Sequence, residues 1–354
     1  MSPEQRKLIM QNQKILYSFR KKGANLREKE LTTLAKKIGI SFQTLKKPLI
    51  DLQKNNIILD YKSFLINPKF AYFVGFYVTE DEIEVELLDF SLEPVSEKVI
   101  PNLVKKVKYK SDFEIIELIE NIINNISKNI KIEAISIIFN KFFNYHTGFA
   151  YYENGSNLEI YNLSVTLKNS KNMLPSPFHN IFIGDTVLAY TLYLREKIFE
   201  SPSIVYYNLD QNSVCYVMNN ILQKNTNPVS GMIFPRFTNE QNEFFKKLKN
   251  VSDNTYADMI NSNISKFNFI APTYIQLESI FNPEHFVFGG KILRPQLLEL
   301  ISKNILNNYD GITSTLFTEN SHSQIFDIID MGVNLSRGAG IFAAYSFFDW
   351  NLRW

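Results

Sequence analysis

Cysteine occurs once in the chain, at Cys215, and histidine four times, at His146, His179, His285 and His322. A lone cysteine excludes an intramolecular disulfide and any zinc cage built from thiolates. The scattered histidines lack the short spacings that bring two imidazoles to one metal. No metal site and no cofactor are expected. No apolar run approaches the ~20 residues needed to cross a bilayer, and Met1-Ser-Pro-Glu-Gln-Arg-Lys7 has no continuous apolar core of the kind a secretory leader carries. The reading is a cytoplasmic protein without a membrane partner.

The formal net charge of +2 conceals an uneven distribution. Residues 1–62 hold 14 Lys and Arg against 5 Asp and Glu, a net of +9; residues 63–354 hold 24 against 31, a net of −7. Phosphate attraction requires positive charge concentrated on one unit, and the acidic remainder has no general affinity for nucleic acid. A length of 354 residues suits a short module followed by one large domain. The Asn-, Ile- and Lys-rich tracts 121–126 and 128–131 carry regularly spaced apolar residues, which argues for folded segments.

In the basic segment Leu31, Leu34, Ala35 and Ile38 recur at helical spacing, with Glu30, Lys36 and Lys37 on the other side. Gly39 follows the last apolar position, where a left-handed residue commonly ends a helix, and Ile40 can plug the turn. Ser41 fits an N-cap for a second helix whose Phe42, Leu45, Leu49 and Leu52 face inward. That leaves Gln43, Thr44, Lys46 and Lys47 exposed on the N-terminal half, the part of such a helix that enters the major groove. Gln43 can pair with an adenine edge, Thr44 can meet a thymine methyl or a phosphate, and the lysines can take phosphates or guanine. Pro48 is discordant, because inside a helix it removes a hydrogen bond at a cost of ~3 kcal/mol. Asn55-Asn56 supplies a turn, and Ile57 to Ile66 reads as a two-stranded wing. The expected unit is a winged helix-turn-helix over residues 1–66, with double-stranded DNA as partner and Arg27, Ser41, Gln43, Thr44, Lys46, Lys47 and Lys62 as its contacts. An ordinary helical hairpin with solvated lysines is the competing reading.

From residue 69 the pattern turns to strands. Phe70–Val78 precedes Ile83–Asp89, in which Ile83, Val85 and Leu87 alternate with Glu82, Glu84 and Glu86. A helix around residues 112–128 and a buried strand Ile132–Phe139 follow. The second half offers another hairpin, 204–209 with 214–218, helices near 240–249 and 254–263, and a strand at 286–290. Repeated strand-strand-helix units suggest a loose duplication and two lobes, in a mixed α/β architecture. Aromatic density at Phe142-Phe143-Asn-Tyr145 and Phe347-Phe348-Asp-Trp350 is a candidate dimer contact or core.

The chain resembles the ROK family, which joins transcriptional repressors with sugar kinases of the actin-like, ribonuclease-H-like fold. The resemblance is carried by Gly39-Ile-Ser-Phe-Gln-Thr-Leu45, Asn56-Ile-Ile58, Ala71-Tyr-Phe-Val-Gly75, Leu88-Asp89-Phe90, Ile183-Gly-Asp185-Thr-Val-Leu-Ala189, Pro283-Glu-His-Phe-Val-Phe-Gly-Gly290 and Gly338-Ala-Gly-Ile-Phe-Ala-Ala344. It implies a two-lobed domain over residues 67–354, with lobe 1 over about 67–195 plus the C-terminal helix and lobe 2 over about 196–335.

The departures are as telling. Where the kinases have an acidic residue and paired glycines in the first phosphate hairpin, this chain has Phe76-Tyr77-Val78-Thr79. Leu209-Asp210-Gln211-Asn212-Ser213 replaces the glycine-rich second hairpin. Asp185 takes the position of the catalytic base, but Gly184 replaces its partner Asn. A base without a held phosphoryl donor transfers nothing, so no catalytic residue is assigned. Asp185 can cap the following helix or, with Gly184, retain a sugar contact. Val229-Ser-Gly-Met232-Ile-Phe-Pro-Arg236 lacks the family's histidine and cysteines, and Tyr61-Lys62-Ser63 stands where a Gly-Arg-Pro wing tip would be. The resemblance therefore implies a DNA-binding regulator like those of xylose operons, repressing carbohydrate-related genes. It would assemble as a dimer or tetramer, with a sugar or sugar phosphate as candidate effector; an active sugar kinase with a basic appendage is the alternative.

Overall fold

Strict alternation in Glu82–Leu88 has its structural counterpart: Ile83, Val85 and Leu87 are buried, while Glu82, Glu84 and Glu86 are half-exposed. The computed structural model describes residues 1–13, 15–16, 31–33, 35–36, 39–60, 65–79, 82–96, 99–101, 103–110, 112–139, 143–144, 149–154, 157–161, 181–194, 196, 203–209, 213–218, 221–224, 238–290, 292–309, 324–326 and 335–348. Two units divide them, one formed by Met1–Tyr193 with Asn334–Trp354, the other by Leu194–Val333.

The first unit begins with helix α1 (Pro3–Gln11), then α2 (Phe42–Lys54) and a small hairpin of β1 (Ile58–Asp60) and β2 (Leu65–Ile66). Its main sheet contains β3 (Tyr72–Val78), β4 (Glu82–Leu88), β5 (Lys106–Lys108) and, after helix α3 (Asp112–Ser127), β6 (Ile132–Phe139). A separate antiparallel meander of β7 (Phe143–Asn144), β8 (Phe149–Asn154) and β9 (Asn157–Tyr161) precedes the last main strand, β10 (Ile181–Asp185), and helix α4 (Thr186–Tyr193). The strand order is β10-β6-β3-β4-β5: β3, β4 and β5 pair antiparallel, β3, β6 and β10 parallel.

The second unit repeats this plan. β11 (Ile204–Asn208), β12 (Ser213–Met218) and β13 (Ile221–Lys224) form the antiparallel part. Helices α5 (Asn239–Leu248), α6 (Asp253–Ser262) and α7 (Ile270–Phe281) lead to β14 (His285–Gly289), and α8 (Pro295–Tyr309) leads to β15 (Gln324–Phe326). Its order, β13-β12-β11-β14-β15, has the same sequence of antiparallel and parallel neighbours. The duplication is thus a property of the topology, independent of any identity between the halves.

Both faces of the first sheet are covered by helices. On one, Ile115, Ile119, Ile122, Ile123 and Ile126 of α3 pack on Val74, Phe76, Val78, Val85 and Ile137; full burial of each such side chain contributes about 1.5–3 kcal/mol. On the other lies the C-terminal helix α9 (Leu335–Phe347), buried along nearly its whole length. Gly75 of β3 makes this approach possible: a Cβ there would run into the backbone of Ser336 and Gly340. Gly338 meets the backbone of Ala189 in α4 in the same way, and Gly340 meets the side chain of Leu88. Gly75, one of the residues that carry the resemblance, is thus a helix-packing residue. Phe347 and Phe348, which the sequence offered as core or dimer contact, are buried core residues: Phe348 packs edge-on against Phe73 and Phe90, and Phe347 lies tilted against Phe73. Phe142, Tyr145 and Trp350 lie outside the described residues.

Replacing Gly75 with Ala should destabilise the chain by about 3 kcal/mol, because neither touching backbone can yield. Urea unfolding measures this; a loss below about 1 kcal/mol would mean that α9 can retreat from the sheet.

Candidate nucleic-acid interface

Leu31 and Ala35, four residues apart, are buried, while Thr32, Thr33 and Lys36 are exposed. This helical segment ends as its glycine predicts. Gly39 has φ +79°, its N–H donates to the carbonyl of Lys36 at 3.1 Å, and the Ile40 N–H reaches back to Ala35 at 3.0 Å. These two bonds form a Schellman turn, which satisfies carbonyls that the end of a helix would leave open. Open space surrounds the Gly39 Cα, so φ alone selects glycine there.

Ser41 then caps α2. Its Oγ accepts the Thr44 N–H at 3.1 Å and lies 2.8 Å from the Thr44 hydroxyl. Leu45, Leu49 and Leu52 are buried on one side of the helix, and Phe42 is half-buried. Ser41, Gln43, Thr44, Lys46 and Lys47 are exposed together on the N-terminal half, as the spacing predicts. Pro48 does not interrupt the helix, which runs through it for 13 residues. Buried leucines on both sides, Leu45 and Leu49, hold the segment in place against the missing hydrogen bond. At the far end Asn56 has φ +55° and leads into the β1–β2 hairpin, where Ile58 pairs with Ile66 and both are buried. Arg27 and Lys62, the other two expected contacts, lie outside the described residues.

The expected effector position is on β10. Gly184 and Asp185 end this strand in parallel register with Ile138 and Phe139, and α4 begins at the next residue. Of the two hairpins that would grip phosphates in a kinase, the turn residues 80–81 and 210–212 lie outside the described residues and the flanks are described. At the β3–β4 turn the N–H and hydroxyl of Thr79 both donate to the Glu82 carbonyl, at 2.9 and 3.0 Å. The Glu82 N–H donates to Thr79 Oγ1 at 3.1 Å, and the Tyr109 hydroxyl donates to the Thr79 carbonyl at 2.6 Å. The donors flanking this turn are therefore engaged within the hairpin. In the second unit the ring of Tyr206 occupies the space beside Gly289, where even a Cβ would collide with it, and Asn208 Nδ2 donates to the Tyr206 hydroxyl at 3.2 Å. Asp210–Asn212 and Val229–Arg236 lie outside the described residues, and no cluster of His, Cys, Asp and Glu suited to a metal occurs among those described. Nor is any described helix long and apolar enough to cross a membrane.

No family model and no curated protein matches the chain. Among solved structures it is similar to a ROK family transcriptional regulator, a homologue of the E. coli MLC protein, with a TM-score of 0.59 and 9% identity over 98% of each chain. It is also similar to the ROK hexokinase of Thermus thermophilus, with a TM-score of 0.52 and 11% identity over 77% of this chain and 98% of that one. A ROK family protein from Streptococcus pneumoniae TIGR4, solved in complex with sucrose, gives a TM-score of 0.51 and 11% identity over 79% of this chain and 100% of that one. The chain therefore has the two-lobed, actin-like fold of ROK proteins. Within that fold class, the regulator matches it over almost its whole length.

Replacing Pro48 with Ala should restore an N–H for the Thr44 carbonyl and stabilise the chain by about 1–2 kcal/mol, after allowing for the greater freedom of the unfolded chain. Ser41→Ala should cost about 1 kcal/mol through the lost cap. Thermal or urea unfolding checks both; stabilisation by Ser41→Ala would contradict the capping role.

Proposed function

We propose that the chain is a DNA-binding transcriptional regulator of the ROK family's repressor branch, controlling carbohydrate-related genes, and that its kinase-like domain transfers no phosphate. The carrying observation is one of length. The ROK hexokinase matches over 98% of its own length but only 77% of this chain, and the sucrose-bound ROK protein over 100% and 79%, whereas the match to the regulator covers 98% of this chain. The extra length suits a winged helix-turn-helix at residues 1–66, which holds the +9 charge and the exposed Gln43, Thr44, Lys46 and Lys47. Two such units in a homodimer or tetramer would read two half-sites about one helical turn apart. Gly184 and Asp185 are the candidate sugar contacts of an effector site.

Loss of transferase activity follows from the phosphate-binding elements. Phosphoryl transfer depends almost wholly on positioning and electrostatics, and here the N–H groups of Thr79 and Glu82 flanking the first hairpin's turn are bonded within it, while Tyr206 fills the space at Gly289. An active sugar kinase is the rival, favoured by the matches to kinases of the same fold. ATP with a panel of sugars should give no sugar-dependent ADP; turnover abolished by Asp185→Ala would establish the rival.

Duplex affinity should fall steeply between about 50 and 200 mM salt, by 10³-fold or more if six phosphates are contacted. Lys47→Ala should weaken all duplexes alike, while Gln43→Ala should relax preference at one base position. Fluorescence anisotropy on a set of duplexes measures both, and unchanged affinity and preference in the two variants would remove α2 from the interface.

A further inference from the structure

Helix α1 joins the candidate DNA-binding unit to lobe 1 in a way that its basic composition does not disclose. Its N-terminus is built by a capping box: Ser2 Oγ accepts the Gln5 N–H, and the Gln5 side chain accepts the Ser2 N–H. Gln5 Nε2 also donates to the carbonyl of Asn55, the C-cap of α2, at 3.4 Å. One residue on, Arg6 turns the other way. Its Nη2 donates to the Phe347 carbonyl at 2.5 Å, and its guanidinium lies 4.6 Å above the Phe347 ring. Helix α9 has no basic residue in its own last turn, so Arg6 supplies the cation that the carbonyl end of a helix favours. A long bond from Gln13 Nε2 to the Phe348 carbonyl, at 3.5 Å, lies on the same side.

Elsewhere α2 and its hairpin meet lobe 1 around Asn67. The Asn67 N–H donates to the Ile57 carbonyl at 3.1 Å and its side-chain amide to the Asn56 carbonyl at 2.7 Å, while the Phe90 N–H donates to Pro68 at 3.1 Å. A unit held at one such point can swing about it. Held also through α1, it has one orientation. We propose that Gln5 and Arg6 are positioning residues for DNA recognition: through α1 they fix the angle of α2 on lobe 1, and so set the half-site spacing that a pair of chains accepts. This rests on the DNA-binding reading above and extends it to residues that need touch no DNA.

Selecting duplexes from a random-sequence pool with the full chain provides the test. The wild type should select paired half-sites at one sharp spacing, and Arg6→Ala and Gln5→Ala should each select the same half-site sequence with a broadened spacing. A purely structural role would lower the yield of bound duplex without altering the spacing. An unchanged spacing in both variants, or selection of unpaired half-sites by the wild type, would overturn the proposal. Hydrogen exchange of the free chain keeps the strut testable even if no sequence is selected. Arg6→Ala should speed exchange about ten-fold in the last turns of both α2 and α9 while β3 and β6 stay protected, and Gln5→Ala should affect α2 alone. Faster exchange confined to α9 in Arg6→Ala would show that Arg6 is only a helix cap. Failure to select any sequence, together with the expected exchange, would count against DNA binding and leave the strut standing.

Discussion

The contact between the backbone of β3 and that of α9 is the constraint on which the rest of the first unit depends. It exists only because Gly75 has no side chain and Gly340 lies against it. A helix seated this closely has little room to slide, since packed interiors respond to sub-ångström changes by clashing. Two further contacts then locate α9: Gly338 against the backbone of α4, and the aromatic group of Phe73, Phe90, Phe347 and Phe348. The end of α9 is thereby placed to receive Arg6, and the placement of Arg6's partner depends on Gly75 and on two glycines, Gly338 and Gly340, more than two hundred residues further along the chain. The helix-to-sheet contact and the candidate DNA interface belong to one mechanical assembly.

Much of this was legible in the sequence where local chemistry decides the structure. The left-handed Gly39, the Ser41 cap, the exposed set Gln43, Thr44, Lys46 and Lys47, and the β4 alternation all follow from rules that act within a few residues. The mixed α/β, two-lobed fold was legible from the order of elements and from the resemblance. What was missed depends on distant partners. Gly75 and the terminal glycines could be matched to a family pattern, but their use in helix packing is visible only when β3 and α9 meet. Phe347 and Phe348 are apolar enough for either a core or an interface; the core role offered for them is the one their burial shows. Helix α1 is signalled in the sequence only by its cap, Ser2-Pro3 with Gln5, because its nine residues bury one side chain, Ile9, and show no apolar stripe. The β8–β9 hairpin carries a legible turn signal in Asn154-Gly155, whereas β7, two residues long, carries none.

The two units use one topology twice. Each has the same five-strand order; in the first the Tyr109 hydroxyl and Thr79 bond at the β3–β4 turn, and in the second the ring of Tyr206 fills the space beside Gly289. Glycine at a phosphate grip provides nothing to folding beyond backbone freedom, so once nucleotide binding is not required larger residues there are neutral or stabilising. The glycines that remain in β3 and α9 are those the packing needs.

The proposed regulator carries the exposed N-terminal half of α2 in the major groove. Cys215 is buried and is the chain's one cysteine, so Gln43→Cys would give a single accessible thiol for attaching a DNA-cleaving iron chelate. The account predicts cleavage confined to two short tracts, symmetric about the centre of the selected site and arising within the major groove. Uniform cleavage along the duplex, or none from position 43 while the same chelate on Leu59→Cys in the exposed hairpin cleaves strongly, would contradict it.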